Sequence, residues 1–404
     1  MRLKTLALAA AAAVAATPAM AQYSNDTIKI GVMNDQSGLY ADLSGQGSVW
    51  AARRAVADFC KTTKCHDKIE IVFADHQNKP DIGSTTVRQW FDVDNVDVVV
   101  DVPTSSVALA VNNITKEKNK VFLVSGAAAS DLTGKACTPN TVHWTYDTWA
   151  LANGTGNAVV KTGGDTWFFL TADYAFGHAL ERDTAAVVEK SGGKVVGRVR
   201  HPFPGQDFSS FLLQAQSSKA KIIGLANAGS DTTNSIKQAA EFGIVKGGQK
   251  LAGLLVFITD VHALSLKVAQ GLILTEAWYW DQTDANRAFS AEFEKANKGN
   301  KPTMVQAGVY SAVYHYLKAV HELKSDADGA AVVAKMKSMP TEDALFGKGQ
   351  IRADGRKIHD MYLYEVKSPA ESKGPWDYYK LRATIPAAEA FRPLDQGDCP
   401  LVKK

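Results

Sequence analysis

VDVVVDVPTSSVALAVNNITKEKNKVFLV, residues 96–124, carries the pattern on which the fold turns. Residues 96–102 read as a buried strand, 107–118 as a helix and 121–124 as a second strand. Parallel strands need a crossover, and a crossover helix covers one face of the sheet. Apolar strands separated by an amphipathic helix therefore predict a parallel sheet buried on both faces. The pattern extends outward. Upstream, 28–33 and 69–74 read as strands and 84–91 as a helix, while Val49, Ala52, Val56 and Phe59 recur at helical spacing. Downstream it restarts, with strands at 167–170, 195–199, 222–226 and 254–258 and helices at 179–189, 208–216 and 233–242. After 273–275 the character changes to helices at 285–296, 309–323 and 330–336. Antiparallel-type alternation follows at 351–366 and 376–381.

A chain of 404 residues exceeds one comfortable core, so two lobes are expected. No linker separates them, which predicts that the chain crosses between lobes more than once and so forms a hinge. Arg2 and Lys4 precede an unbroken apolar run of eleven residues, 6–16, and Ala19-Met20-Ala21 supplies a small-x-small cleavage pattern. Residues 1–21 thus read as a signal peptide, and the mature protein as periplasmic. The run is too short for a bilayer span, which needs about 20 residues, and no later stretch is long enough, so no membrane insertion is expected. The formal net charge is +3, and two of those charges sit in the leader. That balance gives no electrostatic case for nucleic acid.

Four cysteines in an exported chain predict disulfides. Three pairings are possible. Cys60–Cys65 would close a tight loop after a helix, and Cys137–Cys399 would tie the C-terminus to the body; this pair is favoured. The C-x4-C spacing and the lone neighbour His66 make a poor metal site. No enzyme signature is present. The turn after the first strand reads Asn34-Asp35-Gln36-Ser37-Gly38 rather than G-x-G-x-x-G, and the P-loop, nucleophile-elbow and H-E-x-x-H patterns are missing. The nine histidines are scattered without a partner base or nucleophile. No catalytic residue, cofactor or metal is expected.

Parallel α/β sheets bind ligands beyond the carboxyl ends of their strands. Those ends carry Tyr40; Thr104 and Ser105; Ala127 and Ala128; Tyr174 and Phe176; and Asp231. Hydroxyls at a helix start suit a carboxylate, aided by free N–H groups and the helix dipole, although Ser and Thr there are also ordinary caps. The small residues after 125 let a ligand approach the backbone. Tyr40, Tyr174, Phe176 and Trp278 are aromatics able to cover a flat or apolar ligand. Asp231 is placed either to meet an ammonium group or to cap a helix.

Ile28-Lys29-Ile30-Gly31-Val32 followed by Ser37-Gly38, Asp75 with Pro80, Thr104-Ser105-Ser106, Ser125-Gly126-Ala127, Asp173-Tyr174-Ala175-Phe176-Gly177 and Ser311-Ala312-Val313 together resemble the periplasmic branched-chain amino-acid-binding proteins, the type I solute-binding family of ABC importers. The resemblance spans the mature chain and rests on order and spacing. It implies two α/β lobes joined by three crossings, near Asp147, Glu276 and His359. The first lobe would be 22–147 with 276–358, and the second 148–275 with 359–404. It also implies a ligand carboxylate held by Thr104, Ala127 and Ala128, covered by Tyr40 and by Tyr174 or Phe176. The implied partners are a small carboxylate-bearing molecule and an inner-membrane ABC permease, with the receptor a monomer. A sensory receptor on the same fold is the alternative. The chain departs from the amino-acid binders where their second lobe meets the ammonium group. It reads Val256-Phe257-Ile258 there, with Asp260 later and Ala228-Gly229 at a position often aromatic. An aromatic or other apolar acid is thus a contender beside an amino acid, unless Asp231 or Asp260 supplies the missing carboxylate.

Overall fold

The computed structural model describes residues 23–63 and 68–403. The signal-peptide reading and Cys65 lie outside them. In the first lobe β1 (Thr27–Asn34), α1 (Gly45–Thr63), β2 (Lys68–Asp75), α2 (Pro80–Asp92), β3 (Val98–Asp101), α3 (Ser105–Glu117), β4 (Val121–Val124) and β5 (Thr141–His143) follow one another. Their five strands form a parallel sheet in the order β2-β1-β3-β4-β5. β3 and β4 are buried at every residue, as the valine runs require of strands covered on both faces. Val99, Phe122 and Val124 meet Val107 and Val111 of α3 on one face.

The second lobe opens with short helices α4 (Thr148–Leu151) and α5 (Asn157–Lys161), joined by a π turn. β6 (Thr166–Ala172), α6 (Ala175–Lys190), β7 (Lys194–His201), α7 (Ser209–Ser217), β8 (Ile222–Ala226), α8 (Ser230–Glu241) and β9 (Lys250–Gly253) then build a parallel sheet in the order β7-β6-β8-β9. Short helices α9 (Ile258–Leu264) and α10 (Leu266–Ala269) lead to β10 (Ile273–Glu276). The chain then supplies α11 (Asp284–Ala296), α12 (Met304–Leu323) and α13 (Gly329–Ser338). α12 packs against α1 of the first lobe and is buried over most of its surface. β11 (Thr341–Asp343), β12 (Gly347–Ile351) and β13 (Lys357–Ile358) form a small antiparallel sheet. β14 (Met361–Val366) and β15 (Tyr379–Ile385) join β10 in another. Cys137 is bonded to Cys399 with their Cα atoms 5.6 Å apart, tying the tail to the first lobe. Cys60 is also disulfide-bonded.

Residues 145–147 and 356–359 run side by side. Arg356 Nη1 donates to the Tyr146 carbonyl at 2.9 Å, and the ring of His359 bonds the Thr145 carbonyl at 2.9 Å. Asp147 caps α4, accepting from Ala150 N at 2.8 Å, and its carboxylate lies 3.7 Å from Arg356.

Three expectations need correction. The strand expected over 254–258 lies earlier, at β9; residues 254–257 are a loop and Ile258 opens α9. Lys250 and Leu251 pair with Ile222 and Ile223 of β8, and pairing stops at Gly253. The strand expected over 96–102 is confined to 98–101, and its carboxyl end falls where Asp101 and Val102 take left-handed φ values of 81° and 51°. The helix expected from 309 begins five residues earlier, where Thr303 and Gln306 form a capping box. Among the described residues no helix is long and apolar enough to cross a membrane.

Candidate ligand-binding site

In the order β2-β1-β3-β4-β5 the connections leave β1 and β3 in opposite directions, and a crevice opens beyond their carboxyl ends. The second sheet repeats this geometry between β6 and β8. The two crevices face each other.

The loop after β1 is organised by one buried carboxylate. Asp35 accepts from the backbone N–H of Gly38 at 2.6 Å and Tyr40 at 2.9 Å, and from Asn78 Nδ2 at 2.7 Å. Asn78 in turn accepts the Thr104 hydroxyl, so one chain of bonds links the loops after β1, β2 and β3. The backbone at Asp101 and Val102 is strained, and φ above zero is a true outlier for a β-branched valine. It is held by Val102 N donating to the Met33 carbonyl at 2.8 Å. The strain turns the chain from β3 into α3. Ser105 Oγ accepts from Ala129 N at 3.2 Å, bracing the loop after β4. Tyr146 donates to the Gly126 carbonyl at 2.6 Å.

From the second lobe, Tyr174 presents its ring beside Phe203, stacked with centroids 3.8 Å apart. The lobes touch: the hydroxyls of Tyr40 and Tyr174 are 2.5 Å apart. Beside them Gly229, at φ 58°, lies so close to Leu39 that a Cβ there would sit 2.5 Å from the Leu39 carbonyl oxygen.

Between the closed lobes lies a narrow cavity of about 10 Å³, or about 230 Å³ counted with the solvent at its mouth. Tyr40, Leu43, Pro103, Gly126, Ala128 and Tyr146 line it from one side, and Tyr174, Phe176, Ala228, Leu255 and Phe257 from the other. No lining side chain is charged. Acids stand just behind. Burial pushes Asp101, Asp231 and Asp260 each up to about 7. Asp231 accepts from Gly205 N at 3.0 Å through one oxygen, while its other oxygen is buried without a partner among the described residues. Asp260 is occupied, accepting from Phe257 N at 2.8 Å.

Of the residues singled out from sequence, Tyr40, Ala128, Tyr174 and Phe176 line this cavity. Thr104 caps α3 only by position: its hydroxyl points to Asn78 and makes no capping bond. Ser105 acts as a brace, and the Ala127 carbonyl is bonded to His143 at 2.7 Å. Asp231 sits behind Gly229. Trp278 is elsewhere, packed edge-on to Phe289 in the core. Sequence reading missed Leu43, Tyr146, Phe203, Leu255 and Phe257. Leu255 and Phe257 were hidden by the misplaced strand: once β9 ends at Gly253, they fall at a strand's carboxyl end, where a site residue is sought.

Two parallel-sheet lobes closed over an apolar cavity at their strand ends define a bilobal small-molecule receptor. The chain belongs to the periplasmic binding protein family, whose model matches residues 27–375. It is 54% identical to a periplasmic binding protein of Burkholderia mallei, with a TM-score of 0.90 over 94% of this chain and all of that one. A branched-chain amino acid ABC transporter periplasmic ligand-binding protein of Burkholderia xenovorans is 38% identical, with a TM-score of 0.81 over 93% of this chain and 99% of its own. A Leu/Ile/Val-binding protein homolog of Brucella melitensis is 26% identical over 90% of this chain and 93% of its own. The fold is that of the type I periplasmic binding proteins, and the protein is a solute-binding protein rather than an enzyme.

Proposed function

We propose that this protein captures a small apolar carboxylate, an amino acid or an aromatic acid, by closure of its lobes in the periplasm, and delivers it as a monomer to an inner-membrane ABC permease. The uncharged, aromatic-rich cavity at both sheets' switch points carries the reading. An apolar ligand body gains by leaving water among Leu43, Leu255 and Phe257. Its carboxylate would face the first turn of α3, whose N–H groups have no acceptor within the helix, and the small residues Gly126 and Ala128. The branched-chain amino acid named for the Burkholderia xenovorans relative fits this chemistry.

Asp231 separates the two ligand classes. With its carboxyl near 7, an arriving ammonium group favours the ionised form and expels a proton. A plain organic anion favours the protonated form and draws one in. A thermal-shift screen of leucine, isoleucine, valine, phenylalanine and substituted benzoates is expected to give an upward shift by mass action. Calorimetry at pH 7 in two buffers of different ionisation heat then reads the sign of proton exchange. Release assigns an amino acid and uptake an aromatic acid. A flat screen across all carboxylates overturns the reading.

A further inference from the structure

A second cavity lies at the far pole of the second lobe, at the amino ends of β8 and β9 and so opposite the ends that face the cleft. β9 pairs with β8 and β10 with β14, and the gap where these two sheets part opens to solvent. With the solvent at its mouth the cavity encloses about 2040 Å³. Its floor is apolar, built from Ile222, Ile236 and Leu272. Val245 and Val268 stand at its edge, 53% and 42% exposed, an unusual position for two valines lining one hollow. The rim carries Lys221, Lys246, Lys250 and Lys267, and no acidic residue lines it. Lys221 is paired with Asp165 at 2.8 Å. Among the described residues no carboxylate comes within ion-pair distance of the other three.

An apolar floor under unpaired cations matches a molecule with an apolar body and one anionic head. We propose that this cavity binds a free alkyl carboxylate, its chain on the floor and its head among Lys246, Lys250 and Lys267. The chain would cover the two exposed valines, and the head would complement a rim that has no anion of its own. A zwitterion finds no acid here for its ammonium group. The inference is independent of the cleft and of the ligand proposed there.

The test is titration calorimetry of the full mature chain with sodium dodecanoate below its micelle concentration, with 1-dodecanol and sodium butyrate as comparison ligands. One saturable site is expected for dodecanoate, weakened by added salt, with neither comparison ligand matching it. Lys246→Glu with Lys250→Glu should weaken binding at least tenfold, and Val245→Asp should do the same without touching a lysine. All three positions are exposed, and an unchanged melting temperature verifies the fold. Binding should survive Tyr40→Ala. Absence of saturation, equal binding of 1-dodecanol, or indifference to both sets of variants overturns the proposal. So does loss of binding in Tyr40→Ala, which would put the ligand in the cleft. Preference for phosphatidylglycerol vesicles over the free acid would assign a membrane surface instead and also overturn it.

Discussion

Asp35 shows how much of a binding cleft can hang on one side chain that never touches the cavity. Its carboxylate accepts from the backbone N–H groups of Ser37, Gly38 and Tyr40 and from Asn78, and so fixes the loop that carries Tyr40. Hydrogen bonds to a charged group are worth about 1.5–3 kcal/mol each, and buried donors left unpaired add to the loss. Asp35→Ala is predicted to cost about 2–4 kcal/mol in denaturant unfolding and to weaken ligand binding at least about tenfold, since 1.4 kcal/mol of lost loop order suffices. Unchanged affinity would show that Tyr40 keeps its place without it. Lys357 is the opposite case, a buried charge with a cost. Its ammonium group lies over the rings of Phe346 at 4.4 Å and Trp144 at 5.2 Å and has no hydrogen-bond partner among the described residues. Burial lowers it from 10.5 to about 7, with Asp343 opposing and Arg356 reinforcing the shift. The unfolded chain holds that proton up to its ordinary value, so the folding penalty is full below pH 7 and fades as pH rises from about 7 toward 10. Lys357→Met is predicted to raise stability by about 1–3 kcal/mol at pH 6 and by little at pH 10. A gain of equal size at both pH values would mean that packing, not charge, is the cause.

At the scale of elements, legibility followed burial. The strand–helix–strand order over β3, α3 and β4 was legible, apart from the ends of β3, because apolar strands around an amphipathic helix fit a parallel sheet covered on both faces. Residues 254–258 misled for the same reason. Leu255 and Phe257 are as buried as strand residues, but they line the cleft, and Val256 packs into the core of its own lobe. Apolar composition reports burial and not the partner. The aromatic half of the site, Tyr40, Tyr174 and Phe176, was legible because strand ends locate a crevice. Asp35 and Asn78 were not, since their roles are hydrogen bonds between loops far apart in sequence. The start of α12 was a local signal overlooked: Thr303 followed three residues later by Gln306 is a capping box before an apolar run. Thr303 Oγ1 also donates to the Leu43 carbonyl at 2.7 Å, joining this helix end to a cavity-lining residue. Thr303→Ala is predicted to lower stability by about 1–2 kcal/mol. Because Leu43 loses that tether, ligand affinity should fall as well; Thr303→Ser, which keeps the hydroxyl, should restore both.

The proposed capture requires that the two lobes part and meet. Arg356 and His359 tie the segment 356–359 to Thr145 and Tyr146. The contacts that define closure lie across the cleft, at the Tyr40–Tyr174 hydroxyl pair and at Gly229. Gly229 has two reasons to be glycine. Its φ of 58° is unfavourable for an L side chain, and any Cβ would press on the Leu39 carbonyl oxygen of the other lobe. The first acts in open and closed states alike; the second acts only on closure. Gly229→Ala should therefore lower ligand affinity beyond what its effect on the unliganded fold accounts for, because a less populated closed state reduces apparent affinity by the same fraction. Gly192 supplies the comparison, with φ 88° and nothing within 4 Å of where a Cβ would stand. Gly192→Ala should lose comparable stability from backbone strain and keep full affinity. Small-angle scattering should find the liganded Gly229→Ala protein more extended than the liganded wild type, and Gly192→Ala indistinguishable from it. Equal affinities for the two variants would mean that closure does not pass through the Gly229–Leu39 contact, and the Tyr40–Tyr174 pair would then be the point where the lobes engage.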